Sequence, residues 1–301
     1  MKRALIVLAV VGLVAGCPAE KAEQVEKVES EAKVLTGWHD ETLPDGMSKS
    51  EENKVYVWDT GKGLKIEMVY VPPGPFTMGS VDGGDDEKPK HTHAMAKGYY
   101  VGRYETTWKE FLFFCEKTGR SQPEAPSWGR KGDHPVVNVS WEDASAFCAW
   151  AGLALPTEVQ WEKAARGTDG RKYPWGSEWD PARVNFCDRS CPEDLLWKSE
   201  DEDDGHGYTA PVGSYARGVS PYGAHDMAGN VWEWCADWYK DDAYASYAKG
   251  STAPPSSGSF RVSRGGSWLL TARAVRTAGR LRSTPGLRDG YLGFRPARVA
   301  P

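Results

Sequence analysis

The chain has 301 residues, a formal charge of −5, and an unusual load of 14 Trp, 33 Gly and 20 Pro. A net acidic chain argues against nucleic acid as a general partner. The Trp, Gly and Pro content excludes a helical bundle and points to a loop-rich, aromatic-rich globular domain.

Residues 1–17 read MKRALIVLAVVGLVAGC: two cations (Lys2, Arg3), an apolar stretch from Ala4 to Val14, and a small-residue step into Cys17. That is the layout of a secretory signal, and its apolar run falls short of the roughly 20 residues a permanent span needs. Residues 1–16 are therefore expected to be a cleaved signal peptide. Val14-Ala15-Gly16-Cys17 resembles a bacterial lipobox, which implies a diacylglycerol on the Cys17 thiol. One acyl chain holds a membrane only marginally, whereas two or three anchor stably. Pro18, standing where an Asp would direct retention, favours the outer membrane. Cleavage removes Lys2 and Arg3 and takes the charge from −5 to −7. The expected location is the bacterial cell envelope, with the membrane as a partner through the lipid.

Residues 17–54 are charged and poor in aromatics, and KAEQVEKVESEAKVL spaces Val25, Val28, Ala32 and Leu35 loosely as a helix would. They read as a tether, with a short amphipathic helix or a coiled coil as sharper alternatives; the coiled coil spans too few heptads to be preferred. A single domain is expected over 55–301, enough chain for one large core. In LKIEMVYVPPGPFT (64–77), alternating apolar residues on either side of a Pro-Pro-Gly turn predict two strands.

His91 and His93 alternate onto one strand face, and such pairs are read as surface residues. Helices are predicted over Thr106–Thr118, over Ser140–Ala151 with Ser140 and Asp143 as a capping-box variant, and over Thr157–Arg166 with Thr157 and Gln160 as the box. Beyond Gly167 come Gly- and Pro-rich stretches with short strands in VWEWCADW and SRGGSW. Gly265-Gly266 is read as allowing close backbone packing within a strand. The fold class is α+β with much irregular chain.

PVVNVSWEDASAFCAWAG, LPTEVQWEKAARG, YPWGSEWDPARVN, YGAHDMAGNVWEWCADW, RGGSW and LGFRPAR occur in the order found in the formylglycine-generating-enzyme (sulfatase-modifying-factor) family, and the resemblance covers nearly all of 65–299. It implies a C-type-lectin-like fold with bound calcium. Family oxidases hold copper between two cysteine thiolates, but Leu270 stands where the first would fall and no cysteine follows Cys235. Copper is therefore not expected. The iron-dependent branch draws a three-histidine set mostly from an extra N-terminal domain, where this chain has its tether; His39, His134, His206 and His225 stand singly, and iron is left open. Ser267 follows two glycines as in many nucleophile loops, yet no His or Asp spacing implies a triad.

By the same resemblance, Asp226, Glu233 and the carbonyls of Gly229 and Val231 would bind one calcium. Local chemistry agrees, since two hard carboxylates flank a glycine turn and calcium takes six to eight oxygens. A second set maps to the side chains of Asn185 and Asp204 and the carbonyls of Phe186 and His206. The bland alternative is a solvated acidic loop and a Glu233 paired with an arginine.

Trp232, Ser267 and Arg280 match the lining of the family's peptide groove, and Trp268 is added on local grounds, because an indole beside an arginine can hold a peptide or a sugar face. For each, the alternative is an aromatic core and an Arg bonded to carbonyls. Five cysteines follow Cys17. Cys187 and Cys191 are expected to close a local disulfide in preference to a metal site, which would need further ligands. Cys148 resembles a family half-cystine whose usual partner falls at Pro296, so it pairs elsewhere, with Cys115 as one option, or stays free.

The preferred function is a calcium-stabilised binding module on a lipid anchor, recognising a peptide, protein or glycan. The alternatives are a family enzyme with altered chemistry and a structural component of an envelope complex.

Overall fold

The computed structural model describes residues 35–301 except positions 53, 193, 194 and 196. The signal peptide, Cys17 and the amphipathic stretch up to Val34 lie outside the described residues. The contacts of the compact unit reach back to Leu35, ahead of the domain start expected at Val55. The amide of Leu43 donates to Leu35 O, and β1 (Met47–Ser50) forms a hairpin with β2 (Val55–Asp59), Met47 opposite Trp58. Leu43 and Met47 are buried in the main core, so this part of the expected tether contributes apolar surface to the domain.

The strand pair around the Pro-Pro-Gly turn forms as β3 (Lys65–Val71) and β4 (Gly74–Met78). Lys163 Nζ clamps the turn by donating to the carbonyls of Pro72 and Gly74 at 2.6 and 3.0 Å. With β6 (Tyr99–Gly102) and β11 (Ala297–Val299), a five-stranded sheet runs in the order β1-β2-β3-β6-β11, while β4 pairs separately with β5 (His91–Met95). The C-terminal strand thus closes the sheet that the N-terminal strands began, a pairing that no local pattern announces.

The three expected helices are α1 (Trp108–Thr118), α2 (Trp141–Trp150) and α3 (Glu158–Arg166). Each begins with a complete capping box, Thr107 with Glu110, Ser140 with Asp143, and Thr157 with Gln160. Helix α1 starts two residues later than expected because Thr107 is its cap; such caps are worth about 1 kcal/mol each. Phe111 and Phe114 of α1 meet Phe147 of α2 and Phe294 in an aromatic core, with the Phe111 and Phe147 rings stacked at 5.8 Å.

Between α3 and β7 (Trp232–Trp238), the regular structure among the described residues is one 3-10 turn at Pro181–Arg183. A short α4 (Ala243–Ala248) follows, then β8 (Arg261–Arg264), β9 (Arg280–Ser283) and β10 (Leu292–Gly293), which join β7 in the order β10-β7-β8-β9. Gly265 and Gly266 fall just past the end of β8, not within it. Both take positive φ, and a Cβ on Gly266 would meet Val275 Cγ1 at 2.7 Å. The glycines therefore serve a turn pressed against the following loop.

His93 is buried, which corrects its reading as a surface residue. Tyr247 of α4 covers it edge-on at 5.2 Å, and Phe76 lies beside it. Burial, with His91 adding to it, lowers the His93 pKa.

Candidate functional site

Helix α3 is buried on every residue, including Glu158 and Glu162. Arg264 from β8 reaches both carboxylates and Arg166 pairs with Glu162 at 2.6 Å. Burial alone would raise the Glu162 pKa, but Arg264 and Arg166 hold it below the usual carboxylate range. Arg280 at the start of β9 grips Glu158 through two bonds, Nε at 2.6 Å and Nη2 at 2.9 Å. This ion network fixes α3 against β8 and β9 and sets the floor of the surface above it.

Of the first calcium set, Asp226, Gly229 and Val231 sit on the tight loop leading into β7, and Glu233 lies within that strand. Asp226 is held at φ 56°, and Gly229 at φ 73° lies so close to the neighbouring chain that a Cβ would meet Asn185 O at 2.0 Å. Both oxygens of Glu233 have protein partners: Arg295 donates to each at 2.6 Å, and Trp161 Nε1 donates to Oε2 at 2.8 Å.

Sequence reasoning missed Glu105, which accepts from Asn230 Nδ2 at 2.6 Å and from the Val231 amide at 3.2 Å. Burial, with the charges of Asp226 and Glu233, pushes Glu105 well above the ordinary range, and burial lifts Asp226 to about 6. Arg295 bonds Glu233 alone of the three, and burial with the neighbouring charges favours the neutral form of Glu105. The oxygens of Glu105 and Asp226 are of the hard kind calcium takes, but those of Glu233 are occupied, and no three carboxylates, imidazoles or thiolates are placed together to hold a metal among the described residues.

The second set is also gathered. Asp204 accepts from the amides of Phe186 and His206, both at 2.8 Å, and Asn185 immediately precedes Phe186. Asn185 spends its amide donors on Tyr208 O and Asn230 Oδ1, while its own Oδ1 is buried without a partner. Burial, with the charge of Asp188 beside it, raises Asp204 to about 7. The Asn185 Oδ1 is thus an acceptor that a cation could satisfy, whereas both Asp204 oxygens are occupied by amides and the Phe186 carbonyl accepts from the Asp188 amide at 3.0 Å. In the acidic run ending at Asp204, Glu200, Asp201 and Asp203 are exposed, as in a solvated loop, while Asp188, fully buried, accepts from the Asp204 amide.

The four groove residues divide. Trp232 and Arg280 line one surface cavity of about 300 Å³ with Arg273 and Arg276. Arg280 contributes its edge only, since it also donates to Asp86 O and Lys240 O and lies over the rings of Tyr239 and Tyr244. Ser267 is buried, with Oγ accepting from the Leu269 amide at 3.4 Å. Trp268 is buried against Trp128 and Tyr208, its Nε1 donating to Gly290 O. Neither lines the cavity that Trp232 opens.

Leu270 packs on an apolar cluster with Val275, Phe186 and Tyr173, and its carbonyl accepts from the Cys187 amide. The five described cysteines are buried free thiols. Cys187 and Cys191 lie side by side beneath Trp268, and burial together with the hydrogen bond between them pushes Cys187 up to about 12.

A sheet-rich α+β domain with few helices, whose long irregular segments are held by buried polar loops, is the architecture of formylglycine-generating-enzyme-type domains. The chain belongs to that family: the model of the sulfatase-modifying factor enzyme 1-like domain matches residues 59–300. It is 32% identical to the formylglycine-generating enzyme of Thermomonospora curvata over 290 residues, covering 76% of this chain and 92% of the relative. It is 35% identical to the serine/threonine-protein kinase Pkn1 of Chlamydia trachomatis over 260 residues, covering 78% of this chain but only 38% of that relative's length. The solved structure of PvdO from Pseudomonas aeruginosa superposes with a TM-score of 0.67 at 27% identity, covering 81% of this chain and 97% of PvdO.

Proposed function

We propose that this protein is a lipid-anchored envelope protein whose family domain works as a calcium-stabilised binding module, not as a copper oxidase. The observation that carries this is the surface beside Trp232. The family's thiol position there is Leu270, turned into an apolar cluster, and the cavity is lined by arginines while the described cysteines are buried elsewhere. A surface without thiolates offers Cu(I) none of the soft ligands it prefers. It does offer an indole edge and guanidinium donors to a ligand.

Calcium in the module is supported by the orphaned Asn185 Oδ1 and by the buried carboxyls of Glu105 and Asp226, which Arg295 does not bond. The anchor is supported by the three-part signal and Cys17. The ligand is a peptide, protein or glycan of the envelope.

The test is metal analysis of protein exported to the periplasm, combined with a pulldown from native membranes. Calcium and a reproducible partner are expected. Stoichiometric copper or iron accompanied by oxygen uptake would overturn this reading in favour of an enzyme with altered chemistry.

A further inference from the structure

A second cavity of about 330 Å³ adjoins the one beneath Trp232 and shares Arg273 and Arg276 with it. Lys90, Arg166 and Lys172 complete a lining of five cations, against the single carboxylate of Asp82. Two of the five are neutralised from behind: Arg276 holds Glu87 through two bonds at 2.7 and 2.8 Å, and Arg166 pairs with Glu162. Lys90, Lys172 and Arg273 are exposed and have no carboxylate within salt-bridge distance among the described residues.

The cations come from four separate parts of the chain, the approach to β5, the end of α3, the loop after it, and the loop before β9. Folding therefore brings like charges together around one concavity, an arrangement that costs free energy unless an anion occupies it. Arg166 is fixed in this wall, only 3% exposed, its Nη1 donating to Glu162 and Gly79 O and its Nη2 to Gly170 O and Arg171 O, so it lends the cavity charge from behind. Arg276 is also fixed from within the loop, Nε donating to Arg273 O at 2.7 Å, so the loop that carries Arg273 is braced.

We propose that this cavity binds a phosphate or sulfate group of the module's ligand. Guanidinium and ammonium donors converging from several sides suit a tetrahedral oxyanion, for which charge-assisted hydrogen bonds are strong. The cavity is larger than such a group, and its shared wall with the neighbouring cavity directs the rest of an ester toward Trp232. The inference rests on the binding-module reading and specifies its ligand as anionic. The oxyanion could belong to a soluble ester or to a lipid headgroup, two sources of the same chemistry.

The test uses the chain from Pro18 to Pro301, which keeps the compact unit and omits the lipid-bearing cysteine, so that vesicle binding is not that of the anchor. Inorganic phosphate and sulfate are titrated calorimetrically, and phosphatidylglycerol vesicles are offered in a flotation assay, each with the wild type and with the double variant Lys172→Ala/Arg273→Ala. Both substituted side chains are exposed, and unchanged melting temperatures verify the fold. The expected result is saturable binding to the free oxyanions or to the vesicles, weakened about tenfold or more in the double variant. Binding to free oxyanions assigns a soluble ester, and variant-sensitive binding confined to vesicles assigns the headgroup. No binding in either arm, or binding unaffected by the two substitutions, overturns the proposal. Either result leaves the binding-module reading standing, whereas stoichiometric copper or iron with oxygen uptake removes that reading without altering the titration.

Discussion

Arg295 holds Glu233 through two bonds of 2.6 Å, and both side chains are fully sealed from solvent. The same guanidinium donates to the carbonyls of His225 and Gly102, so one side chain ties the loop before β7, the end of β6 and the strand itself. Removing one member of such a pair strands the other charge in the interior. Arg295→Met is expected to lower stability by about 3–5 kcal/mol. Urea unfolding measures it, and a loss no larger than that of a surface substitution would show that the pair is not what holds the loop.

Calcium should stabilise the fold. Chelator is expected to lower the melting temperature of the wild type, and added calcium to restore it. Asn185→Ala removes the orphaned Oδ1 and Asp204→Asn removes the charge beside it; each is expected to shrink the calcium-dependent shift while retaining the remainder due to Asp226 and its neighbours. An unchanged melt with no calcium in equilibrium dialysis would count decisively against both sites.

Asp237 gives a pH dependence of definite sign. Burial, with the charge of Glu158 beside it, raises its carboxyl to about 7, while its Oδ2 accepts from the Glu158 amide. An unfolded Asp titrates near 4, so between about 4 and 7 the folded state binds the extra proton, and stability falls as pH rises through that window. In saturating calcium, Asp237→Asn is expected to flatten this fall and to raise stability at pH 8 relative to pH 5. Equal pH slopes for variant and wild type, read from thermal melts, would place the titration elsewhere.

The mature N-terminus should begin at a lipid-modified Cys17. Mass spectrometry of protein from a native membrane is expected to show a peptide starting at that cysteine with added acyl mass, and Cys17→Ala to abolish both cleavage and membrane retention. An unmodified Cys17 would sink the anchor. The same spectra, taken without reductant, report whether Cys187 and Cys191 carry a disulfide.

Much of this domain was legible in the chain. The capping boxes at Ser140 and Thr157 are local: a hydroxyl three residues ahead of an Asp or Gln can satisfy the first helical amides whatever the rest of the protein does. The Pro-Pro-Gly turn and the alternation in 64–77 are legible for the same reason. The family motifs marked the acidic loop before β7 and the loop around Asp204; of the first set, Glu233 is paired with Arg295, the alternative its local sequence also allowed.

Residue identity together with short-range periodicity determined the helices and the two strands on either side of the Pro-Pro-Gly turn. Only the tertiary structure decided that the chain from Met47 onward joins the sheet, that His93 lies beneath Tyr247, and that Trp268 is core rather than groove. It alone set Glu105 beside Asp226, and Lys90 beside Lys172 and Arg273. These depend on which distant segments share a dry interior or one concavity. Burial and Coulomb energy act through space, over separations of a hundred residues and more, and no spacing in the sequence encodes them.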